Sequence, residues 1–126
     1  MANEALKRTE SFLAEGTVVQ FRAVKPGTNS DQVVAVAAAT DRAIGILQND
    51  PVAGAEASVE LMQGAGETKW EAAGAITKND TVGVSANGRC ETKSTAGDFV
   101  FGRAMDAAGG AGELIRVALT DTILHA

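Results

Sequence analysis

Histidine, cysteine and paired carboxylates are the side chains that most often carry nucleophilic, metal or acid–base chemistry, and this chain spaces them poorly for any of the three. Its one histidine, His125, is the penultimate residue, a position that argues against a catalytic triad or a histidine-based metal cluster. Its one cysteine, Cys90, has no second thiol for an internal disulfide and no companions for a zinc site. It reads as a small, half-buried strand residue in a reducing cytosol. Asp41, Asp50, Asp98 and Asp106 fall at expected strand ends, where loops can bring carboxylates together into an acid/base pair. Aspartate is also a favoured turn former, and the turn reading is the stronger one here. A glycosidase would need aromatic platforms for sugar, and aromatics make up only 4% of the chain. The glycines form neither a phosphate loop nor a dinucleotide fingerprint, since Gly109-Gly110-Ala111-Gly112 precedes a strand and not a helix. The expectation is no enzyme, no cofactor and no metal.

The elements that must hold these residues are strands. From Thr17 the apolar period is two, with Val19, Phe21 and Ala23 alternating with Gln20, Arg22 and Val24. Lys25 to Ser30 carries Pro26 and Gly27 and reads as a turn. Residues 32–39 suit a strand through Val33, Val34 and Val36, although the alanines leave a helix open. Ile44 to Leu47 is a short buried strand interrupted by Gly45, where glycine marks a bulge, a bend or a close backbone approach. Ala57 to Met62 returns, and Trp70 reads as a core anchor. Asp80 to Ser85 and Cys90 to Lys93 flank Asn87-Gly88, a strong hairpin signal.

The second half then echoes the first. Ala43-Ile44-Gly45-Ile46-Leu47 is matched by Phe101-Gly102-Arg103-Ala104-Met105, and each run leads through a small-residue loop to a glutamate, Glu56 or Glu113. An alternating strand follows in both: Ala57, Val59 and Leu61, then Ile115, Val117 and Leu119. Glycines and glutamates align at an offset of 57 (102 − 45 = 57), whereas Val59 and Val117 align at 58 (117 − 59 = 58). A one-residue slip reverses the buried face of a strand, so a bulge or extra turn residue is expected after Glu113. The predicted fold is all-β: a small β-barrel or β-sandwich built from two related β-rich halves, about 14–62 and 77–119, with little helix. Residues 1–13 are set apart as an N-terminal arm, read either as a short helical turn capped by Asn3 or as a segment that orders only against a neighbour. The remainder, 14–126, is a single β domain.

At 126 residues one domain of ordinary size is expected. Much of its 45% hydrophobic content is alanine, and 14 glycines accompany it. A core this poor in large side chains leans on partner subunits for stability. The net charge of −5 and the scattered Lys and Arg, with Lys7-Arg8 the one adjacent pair, exclude the basic face of a nucleic-acid binder. No apolar run approaches the roughly 20 residues needed to span a bilayer, and residues 1–13 are too charged for a signal peptide. Neither nucleic acid nor membrane is expected as a partner.

The order of motifs resembles that of the small capsid cement, or head decoration, proteins of tailed bacteriophages. The resemblance runs from about Glu15 to Leu119. It rests on Glu15-Gly16-Thr17-Val18-Val19, Ala43-Ile44-Gly45-Ile46, the run from Ala53 to Leu61, the run from Gly74 to Val82, Phe101-Gly102-Arg103-Ala104 and Ile115-Arg116-Val117-Ala118-Leu119. The chain departs from the pattern at Asn79-Asp80, where Gly-Asp is more typical, and in its longer, more charged arm. The resemblance implies a structural virion protein, made in the host cytoplasm, that binds the outer surface of an assembled capsid. There it would bridge major capsid protein subunits as a homo-oligomer, with a trimer favoured and a dimer possible. Capsid or subunit contact is expected on Leu6, Lys7, Arg8, Phe12 and Leu13. The alternatives are a small β-barrel ligand-binding module or carboxylate-dependent enzyme, and another virion part such as a tail-tube or head-completion subunit.

Overall fold

The computed structural model describes residues 9–39, 41–61 and 67–124. Every regular element in them is a strand, as the period-two patterning predicts. The strands are β1 (Thr9–Ala14), β2 (Ala23–Pro26), β3 (Gln32–Ala35), β4 (Gly45–Leu47), β5 (Glu56–Leu61), β6 (Glu67–Glu71), β7 (Thr81–Val84), β8 (Cys90–Thr92), β9 (Phe99–Ala104) and β10 (Leu114–Leu124). The first five close into a barrel in the order β1-β3-β2-β4-β5, and the last five form a sheet in the order β6-β10-β9-β7-β8.

Two expectations need correction. Residues 9–13, assigned to the arm, belong to β1, which pairs antiparallel with β5 and parallel with β3 and so closes the first barrel. Within this short strand the inward register holds only Phe12 and Ala14, both packed in the first barrel's core, too few positions to show a period of two. The alternating run from Thr17 becomes a strand only at Ala23, because Phe21 adopts a positive φ of 64° that breaks the extended chain.

The echo between the halves is a duplication of the strand-pairing scheme. Leu13↔Glu56 in β1–β5 becomes Glu71↔Leu114 in β6–β10, and both members shift by 58 (71 − 13 = 58; 114 − 56 = 58). Val24↔Gly45 becomes Val82↔Gly102, Gly45↔Leu61 becomes Gly102↔Leu119, and Pro26↔Val33 becomes Val84↔Cys90. The parallel contact Ala14↔Val33 has its counterpart in the bridge Ala72↔Cys90. Even Phe21 and Asn79, the two non-glycine residues with positive φ among the described residues, are equivalent.

Gly45 and Gly102 do the same work in each half. A side chain at Gly45 would run into the Glu60 carbonyl and lie 2.6 Å from Val59 Cγ1; at Gly102 it would lie 2.5 Å from the Ala118 carbonyl oxygen and 2.8 Å from Val117 Cγ1. Of the bulge, bend or close backbone approach left open at Gly45, the close approach is present, and it recurs at Gly102. The slip between 57 and 58 has a different origin from the one expected. Leu47 corresponds to Ala104 (104 − 47 = 57), yet Gly54 corresponds to Gly112 (112 − 54 = 58), both with positive φ. The extra residue thus lies in the loop before Gly112, and Glu113 matches Ala55 and not Glu56. The bulge in β10, between Leu119 and Ile123, is a separate irregularity.

One core cluster, with Val24, Val33, Leu47, Ala57 and Val59, fills the first barrel. The other fills the second half around Trp70, Phe101, Ile115 and Val117, and it also takes Ala23, Val36, Ala43 and Ile46 from the first. Ala23 and Ile46 are register partners whose side chains leave their own barrel and join the core of the second half. In the first barrel the Leu13 N–H donates to the Asp31 carbonyl at 2.7 Å across the parallel seam. In the second half the matching groups are held apart by the first barrel's chain: Glu71 N–H donates to the Phe21 carbonyl at 2.9 Å, and Ala23 N–H donates to the Gly88 carbonyl at 2.8 Å. Trp70 Nε1–H shares that Gly88 acceptor at 2.9 Å.

Candidate interaction surface

The carboxylates considered for acid–base chemistry are dispersed by the fold. Asp41 accepts from Lys25 Nζ at 2.8 Å and from the Ala37 and Ala38 amides, contacts that hold its carboxyl below the usual range, the Lys25 bond first. Asp98 accepts from the Thr95 amide within its own turn, and Asp50 is exposed. Asp106 is gripped by Arg116, whose Nε and Nη2 lie 3.0 Å from its two oxygens and whose backbone N–H donates at 3.1 Å. That grip lowers its pKa to about 2. Cys90 is fully buried in the core, and desolvation pushes its thiol well above the ordinary value of 9.0, the Glu91 charge adding to the effect. Such a thiol is inert at neutral pH. Among the described residues no group of three or more His, Cys, Asp or Glu is placed to hold a metal ion. No helix in them is long and apolar enough to cross a membrane.

What the fold does assemble is surface. Of the expected contact residues, Leu6, Lys7 and Arg8 lie outside the described residues. Phe12 is half-buried on the first core, whereas Leu13, the next residue in β1, points outward and is 40% exposed. Between the halves Glu71 is clamped by two arginines, Arg22 Nε at 2.9 Å and Arg89 Nε at 3.1 Å. Gln48 Nε2 reaches Thr68 Oγ1 at 2.7 Å beside them.

On the outer face of β9 and β10 three cations converge. Lys78, Arg103 and Arg116 border a groove of about 430 Å³ floored by Ala104, Met105 and Ala118. Arg103 and Ala118 are register partners and also wall a second hollow of about 350 Å³ on the β7 side. Arg103 Nη1 donates to the Asn79 carbonyl at 3.2 Å, which holds its guanidinium over the groove. Against a net charge of −5, Lys78 and Arg103 leave this groove locally positive, Arg116 being paired with Asp106. Sequence reasoning took the basic residues as scattered, because the three stand 25 and 13 positions apart (103 − 78 = 25; 116 − 103 = 13). The available signal was that Arg103 and Arg116 occupy outward positions on two strands of the second copy.

The model of a family described as phage cement protein matches residues 13–119. No curated protein matches the chain. Among solved structures, the head fiber gp8.5 N base in bacteriophage phi29 matches with a TM-score of 0.72 and 17% identity, over 90% of this chain and 94% of that one. At that identity the likeness is one of fold.

Proposed function

Because the chain belongs to the phage cement protein family, a family of phage virion structural proteins, we propose that it binds the outer surface of an assembled capsid and stabilises it by bridging major capsid subunits. The family match over residues 13–119 is the observation that carries this reading. The geometry supports it: among the described residues no group of three or more His, Cys, Asp or Glu is gathered into a metal-holding cluster, and a shared core cluster joins the two halves. A specific interface buries about 800 Å² per partner, and a homo-oligomer, with a trimer favoured, engages several capsid subunits at once, so that modest contacts gain by avidity.

Capsid contact is assigned to the segment before β1, through Leu6, Lys7 and Arg8. The test is a truncation that stops at residue 8, because removing residues 1–13 would delete most of a barrel strand. Purified capsids lacking the protein are mixed with full-length or truncated chain, sedimented and imaged by electron microscopy. Full-length protein should cosediment and add protrusions at regular symmetry positions. The truncated chain should keep its thermal transition and stay in the supernatant. Full binding by the truncated chain removes the assignment to this segment, and absence of binding by the intact chain removes the cement reading.

A further inference from the structure

The duplicated pairing scheme shows which surface of the second half has no counterpart contact among the described residues. In the first barrel, the row Ala23–Ile46 and the adjoining tip at Phe21 rest on the second half around Glu71 and Gly88. The equivalent row in the second half is Thr81–Arg103, with its tip at Asn79. This row faces outward, Arg103 exposed where Ile46 is fully buried, and it edges the groove that Lys78 and Arg116 border. The receiving site also has an equivalent. Glu71 and Gly88 correspond to Leu13 and Asp31 of the first barrel (71 − 13 = 58; 88 − 31 = 57), and both are exposed there. Leu13 is opposed across the strand pair by the exposed Glu56.

We propose that the Asn79–Thr81 tip and Arg103 of one copy dock on the outer surface of the first barrel of a second copy, around Leu13, Asp31 and Glu56, repeating between molecules the head-to-tail contact that joins the halves within one. Two observations select this occupant. The contact continues an interface the chain already makes once, and the charges complement each other: on the presenting side Lys78 and Arg103 stand beside Asp80, whose carboxylate is taken up by the Thr77 amide and the Thr92 hydroxyl, and Asp31 and Glu56 lie on the receiving side. The intermolecular contact differs from the internal one in a predictable way. The first barrel keeps its seam shut through the bond from Leu13 N–H to the Asp31 carbonyl, so the tip of a second copy lies against the seam and not within it. Arginine in place of isoleucine makes the contact polar and reversible, and keeps the free chain soluble.

This proposal specifies the self-contact of the homo-oligomer in the reading above, and it is tested in solution without particles. Sedimentation velocity of the full chain across the micromolar to millimolar range should show self-association that weakens as salt rises. Arg103→Glu and Asp31→Arg should each weaken it by about tenfold, since each turns an attraction into a repulsion. The double variant, or a mixture of the two singles, should restore it. Both sites are exposed, so each variant should keep the parent melting curve, which is recorded alongside. A chain that stays monomeric throughout, or singles that weaken association without mutual rescue, overturns the proposal and leaves the row as a polar end cap. Capsid binding by a monomeric chain would overturn this surface alone, and failure of capsid binding with charge-swap rescue intact would overturn the cement reading alone.

Discussion

Replacing Ile46 by alanine should destabilise the whole molecule, whereas the same change at its repeat equivalent, Arg103, should leave stability nearly untouched. Ile46 has 0% exposure and belongs to the core cluster that also holds Trp70, Phe101 and Val117 of the other half. Ile→Ala removes three carbons, worth about 0.8 kcal/mol each in lost burial, or roughly 2.4 kcal/mol. The cavity left behind raises the total to about 3 kcal/mol, inside the usual range for such truncations. For a chain of 126 residues, an unfolding entropy near 2.1 cal/mol/K per residue converts that loss into a drop of about 11 °C in Tm. Arg103 is exposed and its truncation should stay within about 0.5 kcal/mol, a shift of about 2 °C or less.

Differential scanning calorimetry of both variants beside the parent gives the comparison, with urea titrations to confirm that the m-value is unchanged. The core cluster spans both halves, so the parent and the alanine variant should each melt in one transition, and that transition should move as a whole. Equal shifts for the two variants would refute the claim that Ile46 and Arg103 occupy equivalent positions with opposite environments. Two separate transitions, with only one displaced by Ile46→Ala, would refute the claim that the first barrel's outer row completes the second core.

Two further outcomes follow from the same geometry. Gly45→Ala and Gly102→Ala each drive a methyl group into the carbonyl of the neighbouring strand and should each cost about 2 kcal/mol or more, read as a fall in urea midpoint; Gly74→Ala, where nothing lies within 4 Å, should fall within about 0.5 kcal/mol of the parent. Stability should also decline at both ends of the pH scale when Tm is followed by circular dichroism. Asp106 and Asp41 have carboxyl pKa values lowered by Arg116 and Lys25, so their contribution is present above the ordinary value of 3.8 and fades as pH falls below it, for Asp106 through about 2; Asp106→Asn should flatten that acid limb. The Cys90 thiol is raised from 9.0, so its contribution is complete below that pH and fades above it, and Cys90→Ala should flatten the alkaline limb. Unchanged limbs in the two variants would show that other groups set them.

Much of the scaffold was legible because its signals are local. Val82 and Val84 with the Asn87-Gly88 turn identify a hairpin within a dozen residues, and Gly45 and Gly102 announce a close approach by being glycine inside apolar strands. The two halves were visible for the same reason, since each repeats a short local pattern. What escaped depends on contacts far apart in the chain. Thr9 to Leu13 becomes a strand through partners in β3 and β5, and its own sequence offers two inward residues, too few for a period. The positive φ at Phe21 is likewise unannounced by its residue type; Asn79 keeps it in the second half without an inserted segment beside it, so it belongs to the duplicated pairing scheme. The cluster of Lys78, Arg103 and Arg116 is invisible to any window because the pairing of β9 with both β7 and β10 brings it together.

Duplication changes how those long-range features are to be read. Where two copies of a pairing scheme keep the same residue type, as at Gly45 and Gly102, the fold itself is the constraint. Where equivalent positions differ, the fold tolerates both, and the difference reports what each copy faces. Ile46 against Arg103, Ala23 against Thr81 and Glu71 against Leu13 are three such pairs, and all lie on the two surfaces that meet inside the molecule. The inner members are apolar, small or clamped between arginines, and the outer members are charged, polar or exposed. A barrel joined to a sheet of the same pairing scheme has, among the described residues, one internal junction and two unmatched ends, so these substitutions are the expected mark of a module that was joined once and left with complementary ends. The first barrel's closed seam and the arginine-bearing outer row of the second half are those ends. On the self-contact proposed above, specificity lies in the residues that distinguish the two halves, with the shared skeleton setting only their spacing.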